Sequence, residues 1–397
     1  MGGCTRDAEG GDSGGLIKQA QVFDDYTPMS YRNRFANIST ADGPAVDGPY
    51  STPSVRISAP SSNVAFMTSS TRAAQGLRRA GAIVMDGVRV ALDVREELAN
   101  AIRRAGVTPG LATIIVGRDA PSLRYVRNKA TAAIAIGCDS FTRMLPESTT
   151  ERQLLDVIAE FNADPQVHGI IVQLPLPDHI DPGAVLQSID IGKDVDGFHP
   201  LNMGRLAQLK TWTWDSRSAL QIVEDEYPAH APLNAPCAPQ ACLTLLDKYD
   251  VPIEGRIACV VGRSNIVGLP TTLMLMKRGA TVVNVSKMTE RAAAADLCRS
   301  ADIVVAAVGV PEMIDASWVK PGAAVLDVGM NYVGAGRRCV GDVAFDDVSR
   351  VAGYLSPVPG GIGPVCVAEL LRNTLRNALA TKSREGDRRP RLRPAAG

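Results

Sequence analysis

The 397-residue chain has no net charge: 42 basic residues balance 42 acidic ones, so there is no overall pull towards nucleic acid or a membrane surface. No apolar run approaches the roughly 20 residues that a membrane-spanning helix needs. Eight cysteines occur without a single CxxC pair, Cys237 and Cys242 being the closest two. They read as scattered reduced thiols of an intracellular protein, in cytosol or mitochondrion, not as a disulfide framework or a zinc site. Only four histidines are present (His168, His179, His199 and His230), and none pairs at ligand spacing, so no metal is expected. What is there is a globular composition, 45% hydrophobic, long enough for two or three domains.

The first 81 residues are rich in Gly, Ser, Pro and Ala, show no sustained periodicity, and are expected to form a disordered extension. From Gly48 to Met85 there is no Asp or Glu, and the part beginning at Met67 has the composition of a mitochondrial presequence. The acidic stretch before it argues against a presequence starting at Met1, and Arg6 breaks the myristoylation pattern. From Ala82 the pattern becomes α/β. Short β-branched runs (Ala112 to Val116, Gly169 to Leu174, Ile257 to Val261, Ala280 to Val285, Ile303 to Val308, Ala323 to Val328) are separated or followed by amphipathic stretches such as Val94 to Ala105 and Cys366 to Leu379. Strands alternating with helices predict parallel sheets covered on both faces.

One polar segment stands out, Lys193-Asp194-Val195-Asp196-Gly197-Phe198-His199-Pro200. It is too polar for a core strand and too short for a solvated helix, and reads as a site loop of fixed shape. A purely structural Asp-rich turn would have the same composition. Two other segments accompany it: Gly169-Ile170-Ile171-Val172-Gln173-Leu174-Pro175-Leu176-Pro177 upstream, and Ser356-Pro357-Val358-Pro359-Gly360-Gly361-Ile362-Gly363-Pro364 near the end. In this order the three resemble the bifunctional methylenetetrahydrofolate dehydrogenase/methenyltetrahydrofolate cyclohydrolase family, from about Ala82 to Ala380. The resemblance implies two α/β domains with a cleft between them: a folate-binding catalytic domain over 82–239 and a Rossmann-like NADP-binding domain over 240–355. A substrate loop and a helix over 356–380 would return to the first domain, and 381–397 would be a basic, solvated tail. Residues from about 210 to 235 replace a short family connection and read as a surface insertion. The family commonly forms homodimers.

The buried run Ile257 to Val261 leads into Gly262-Arg263-Ser264-Asn265-Ile266-Val267-Gly268, a glycine turn opening a helix, where backbone N–H groups and the helix dipole can receive a pyrophosphate. It is not GxGxxG, since Ser264 holds the middle-glycine position. An NAD site usually carries Asp or Glu at the end of the next strand. Here Val285 leads to Ser286 and Lys287, with no carboxylate before Glu290. Arg263, Ser286 and Lys287 suit a 2′-phosphate, hence NADP, although solvated surface charges would read the same way. The resemblance supports NADP, because NADP-using members share the Gly-Arg-Ser turn. Ala238 and Ala241 depart from the family's Pro-Cys-Thr-Pro-x-Gly segment, and Ser286 stands where His is frequent. Gly309, ending a strand, is expected near the nicotinamide ring, and the resemblance implies that Asn331 also binds the cofactor.

Ser122-Leu123-Arg124-Tyr125-Val126-Arg127-Asn128-Lys129 is similar to the family signature Ser-x-x-Tyr-Val-x-x-Lys without a mismatch. On a helix, Tyr125 and Lys129 share one face. The family chemistry moves a hydride from the methylene carbon of 5,10-methylenetetrahydrofolate to NADP, then adds water to give 10-formyltetrahydrofolate. The resemblance assigns Lys129 to proton transfer, with Gln173 orienting it. It assigns Tyr125 to stacking on the folate, Asp196 to the pterin edge, and Ser122, Pro359, Gly360 and Gly363 to the substrate. A monofunctional dehydrogenase and a catalytically silent folate- or nucleotide-binding protein remain alternatives on sequence alone.

Overall fold

The computed structural model describes residues 55–58, 78–79, 81–117, 120–210, 234–334 and 338–388. The presequence-like residues from Met67 up to 77, nearly all of the 210–235 insertion, and the chain beyond 388 lie outside the described residues. The strands are β1 (Val55–Ile57), β2 (Arg78–Arg79), β3 (Ala82–Val84), β4 (Gly110–Val116), β5 (Asp139–Leu145), β6 (Gly169–Val172), β7 (Ile257–Val261), β8 (Thr281–Val285), β9 (Ile303–Ala306), β10 (Ala324–Asp327), β11 (Asn331–Val333), β12 (Arg338–Val340) and β13 (Tyr354–Leu355). The helices are α1 (Gly87–Ala105), α2 (Ala120–Ile136), α3 (Glu151–Ala163), α4 (Pro182–Ser188), α5 (Pro200–Gln208), α6 (Cys237–Lys248), α7 (Gly268–Lys277), α8 (Arg291–Arg299), α9 (Phe345–Val348) and α10 (Ile362–Arg388).

Two sheets carry the fold. The smaller has the order β1-β5-β4-β6 and the larger β2-β3-β13-β10-β9-β7-β8. Within these two sheets all pairings are parallel except those of β1 and β2 at the edges, and β11 and β12 form a separate antiparallel pair. In each sheet the first central strand has its successor on one side and the next strand on the other. The resulting switch points lie between β4 and β6 and between β7 and β9, where open α/β sheets bind ligands at the strand C-termini. All seven residues of β4 are buried, as its unbroken apolar run requires of a central parallel strand.

Helix ends follow their sequence signals. Asp86 caps α1 by accepting from Arg89 N at 3.0 Å, and Thr150 and Gln153 form a capping box at the start of α3. Helix α10 lies against α1 and α6. Every residue of α10 from Ala368 to Ala378 is buried.

Three expectations need correction. The 1–81 extension is not wholly without structure: β1 pairs antiparallel with β5, and Arg56 Nη2 reaches Asp139 Oδ2 at 2.6 Å. Residues Ala82 to Val84 begin the chain's α/β part but pair with β13, so they complete the larger sheet and not the smaller one. The tail expected from 381 continues as helix to Arg388, and Lys382 Nζ donates to Ala105 O at 2.6 Å.

Candidate active site

The first switch point brings together residues from three elements. Gln173 directly follows β6, and its backbone N–H donates to Ile114 O on β4 at 2.8 Å. Lys129 projects from α2, which follows β4, and its Nζ donates to Gln173 Oε1 at 3.2 Å. The other end of that amide is fixed, since Nε2 donates to Leu174 O at 2.8 Å. Gln173 therefore presents its oxygen, not its NH2, to the ammonium.

The third contributor is the polar loop, whose two carboxylates have different tasks. Asp194 is buried and folds the loop: Oδ1 accepts from Gly197 N and Phe198 N, and Oδ2 from His199 N and the Asn202 amide. Lys193 faces away and caps the C-terminal end of α3, donating to Phe161 O, Asn162 O and Asp164 O at 2.7–3.0 Å. Asp196 is left to face Lys129. No side chain or backbone group among the described residues hydrogen-bonds its carboxylate. Burial pushes this carboxyl up from its ordinary value, with Lys129 pulling it down and Asp194 adding to the rise. Gly197 has a φ of 72°, and a Cβ there would lie 2.5 Å from Ala235 C, so only glycine fits between the loop and that segment.

Tyr125, one turn before Lys129, is half-buried. Its hydroxyl contacts Met330 Sδ and it also bonds Tyr332, both beyond the end of β10, so the two sheets' loops meet across the cleft at this ring. Burial raises the Tyr125 phenol above its ordinary value, and Tyr332 raises it further. Ser122 lies early in α2, its side chain outside the described residues. The Pro359–Gly363 loop is tied to the start of α1 through Gly87 N donating to Gly360 O at 2.9 Å. Gly363 is exposed, and a Cβ there would meet nothing within 4 Å, so the surface beside it is open.

The second switch point carries the glycine turn. Gly262 has a φ of 125°, and a Cβ on it would lie 2.1 Å from Ala307 O, so the backbones after β7 and β9 touch. Gly262 N donates to Val285 O at 2.9 Å, which ties the start of the turn to the end of β8, from which Ser286 and Lys287 follow. Ser264 Oγ accepts from Val267 N at 3.2 Å and from Gly268 N at 3.4 Å, closing the turn onto α7. Arg263, Ile266 and Lys287 are exposed. Glu290, the first carboxylate after β8, is engaged elsewhere: Oε2 accepts from Ala293 N at 2.9 Å as the N-cap of α8, and such backbone contacts hold the carboxyl below its ordinary value.

Asp342 fixes the remaining loops. Its Oδ2 accepts from Val308 N and Gly309 N at 2.7 and 2.9 Å, and its Oδ1 from the Asn331 amide at 2.9 Å. Asn331 therefore braces the loop with its Nδ2. Asp342 in turn is held by Asp327, whose Oδ1 accepts from Asp342 N at 3.0 Å. Asp194, Asp327 and Asp342 went unnoticed as frame residues in the sequence: each is followed by Val, and nothing in the local pattern tells a buried, loop-bracing carboxylate from a turn residue.

The chain matches the catalytic-domain model of tetrahydrofolate dehydrogenase/cyclohydrolase over residues 85–196, and the NAD(P)-binding-domain model over residues 236–382. It is 46% identical over 304 residues to bifunctional protein FolD 2 of Arabidopsis thaliana, covering 74% of this chain and 95% of that protein. It is 43% identical to bifunctional protein FolD of Moorella thermoacetica over 298 residues, covering 74% and 98%. Among solved structures, a Trypanosoma brucei methylenetetrahydrofolate dehydrogenase-cyclohydrolase complexed with NADP and inhibitor is similar with a TM-score of 0.67 and 39% identity, over 76% of this chain and 98% of that one. With two domain models matched in order and relatives this similar over nearly their full length, the chain belongs to the tetrahydrofolate dehydrogenase/cyclohydrolase family.

Proposed function

We propose that this protein oxidises 5,10-methylenetetrahydrofolate to 5,10-methenyltetrahydrofolate with NADP and hydrolyses the product to 10-formyltetrahydrofolate. The observation that carries this reading is the pairing of Lys129 Nζ with Gln173 Oε1, beside the Asp196 carboxylate that no group among the described residues hydrogen-bonds. NADP fits the second switch point: the Gly262 backbone approaches Ala307 too closely for any side chain, and the carboxylate that could claim a ribose hydroxyl is engaged as a helix cap. The turn of Gly262, Ser264, Ile266 and Gly268 would hold the pyrophosphate, Arg263, Ser286 and Lys287 the 2′-phosphate, and the Gly309 and Asn331 loops the nicotinamide end. When bound, NADP supplies the hydride acceptor.

The chain's own residues do the rest. Tyr125 stacks on the folate, and the Asp196 carboxylate accepts N–H groups of the pterin edge. Lys129 Nζ, oriented by the Gln173 carbonyl, which itself adds no charge, takes the proton of the water that adds to the methenyl carbon. Ser122, Pro359, Gly360 and Gly363 line the approach of the substrate. A homodimer and an intracellular location, in cytosol or mitochondrion, complete this reading. They are supported by the family resemblance, the half-covered strand β8 and the free thiols.

Asp196→Ala tests the reading. The folate KM of both reactions should rise by about 10–100-fold, the range of a lost hydrogen bond to a charged group. Unchanged folate KM values would remove Asp196 from the site. For the cofactor, Arg263→Ala should raise the KM for NADP by about tenfold and leave that for NAD nearly unchanged. Steady-state kinetics with each cofactor separates the cases, and equal use of NAD and NADP by the unmutated enzyme would refute the 2′-phosphate assignment.

A further inference from the structure

We infer that Asn373, on α10 and outside every motif read from the sequence, is a positioning residue that sets the place of Asp196; this rests on the folate role given to Asp196 above. Since nothing among the described residues holds the Asp196 carboxylate directly, its place is decided by the backbone on either side. On the far side Asp194 Oδ1 accepts from Gly197 N at 3.0 Å. On the near side lies the peptide joining Val195 to Asp196. Its carbonyl accepts from Asn373 Nδ2 at 2.9 Å and from Cys237 Sγ at 3.2 Å.

The same Asn373 nitrogen donates to Ala235 O at 3.2 Å. It thus ties the site loop to the segment that Gly197 touches, at the point where a Cβ would lie 2.5 Å from Ala235 C. The orientation of this amide is determined from behind. Gln240 Nε2 and Arg376 Nη1 donate to Asn373 Oδ1 at 3.3 and 3.4 Å, so the NH2 must face the two carbonyls. Among side chains of this length, only an amide offers two donors on one side and an acceptor on the other. Asn373 is 0% exposed, and Gln240 and Arg376 are each 3% exposed. Water therefore cannot replace these bonds, and a lost donor leaves the Val195 carbonyl to the weak thiol alone. A misplacement of about an ångström in a substrate-positioning group, even from a change far from the chemistry, is enough to lower productive binding.

Asn373→Leu keeps the branched four-atom outline and removes both donors. In the full-length protein at saturating NADP, the folate KM should rise by about tenfold in both reactions, with the KM for NADP unchanged. In an Asp196→Ala background the same substitution should change the folate KM by less than about twofold, because residues acting through one another are non-additive. A residue that only stabilised the fold would lower the melting temperature without moving the folate KM, or would act equally in both backgrounds; either result overturns the inference. Failure of the underlying reading looks different, as Asp196→Ala would then itself leave the folate KM unchanged. Should Asn373→Leu not fold, Asn373→Ser carries the same test: it leaves a hydroxyl for Gln240 but is too short to span both carbonyls.

Discussion

In a Lys129→Met variant, methenyl hydrolysis should fall by about 10²–10⁴-fold, the range for a lost acid–base group, while hydride transfer falls much less. Methionine keeps most of the side-chain volume on α2, so the helix and Tyr125 stay in place. What disappears is the amine 3.2 Å from Gln173 Oε1. Hydride transfer requires chiefly that the two switch points hold their ligands close together, which is positioning. Water addition also needs a proton carrier, the role proposed above for the Lys129 amine that the Gln173 carbonyl holds in place. Parallel measurement of both rates on one preparation checks this. Hydrolysis left intact at neutral pH, or both rates falling equally, would show that Lys129 does not carry the proton.

The largest expected effect on stability lies away from the site. Glu369 and Arg372 on α10 are both 0% exposed, with Arg372 Nη1 donating to both Glu369 oxygens at 3.0 and 2.9 Å. Thr244 Oγ1 on α6 donates to Glu369 Oε1 at 2.8 Å. Arg372 Nε and Nη2 have no partner among the described residues, so the guanidinium depends on Glu369. Glu369→Ala would leave a buried, uncompensated cation and should cost about 3–5 kcal/mol of folding stability. Glu369→Leu combined with Arg372→Met removes both charges and should recover most of that loss, because apolar replacement of a whole buried pair is often neutral. Urea unfolding of the single and double variants measures the difference. A single variant within about 1 kcal/mol of the parent would mean that the pair is screened by something other than its partner.

How much of this was legible in the sequence depended on whether local pattern or remote packing decided the outcome. The runs at Ile257 to Val261 and Ile303 to Val308 became β7 and β9 because continuous β-branched apolar residues suit a strand covered on both faces. Lys129 and Gln173 were legible as a pair through the resemblance, and they meet because α2 and β6 flank one switch point. Spacing could not divide the work within Lys193-Asp194-Val195-Asp196. Which carboxylate folds the loop is settled by backbone N–H groups of the following turn, and Lys193 is drawn off by the end of α3. Helix α10 misled in the opposite sense. Its charged and amide residues predict one solvated face, yet the helix is enclosed by α1, α6 and the smaller sheet, and those residues bond one another and nearby carbonyls. The pairing of Ala82 to Val84 with β13 joins residues about 270 positions apart, beyond the reach of any periodicity rule.

Purified protein given 5,10-methylenetetrahydrofolate and NADP, with reduced cofactor and 10-formyltetrahydrofolate followed together, tests the bifunctional reading most directly. Formation of both, with NADP used in preference to NAD, is the expected result. Reduced cofactor with methenyltetrahydrofolate accumulating and no enzymatic formation of the formyl product would contradict it.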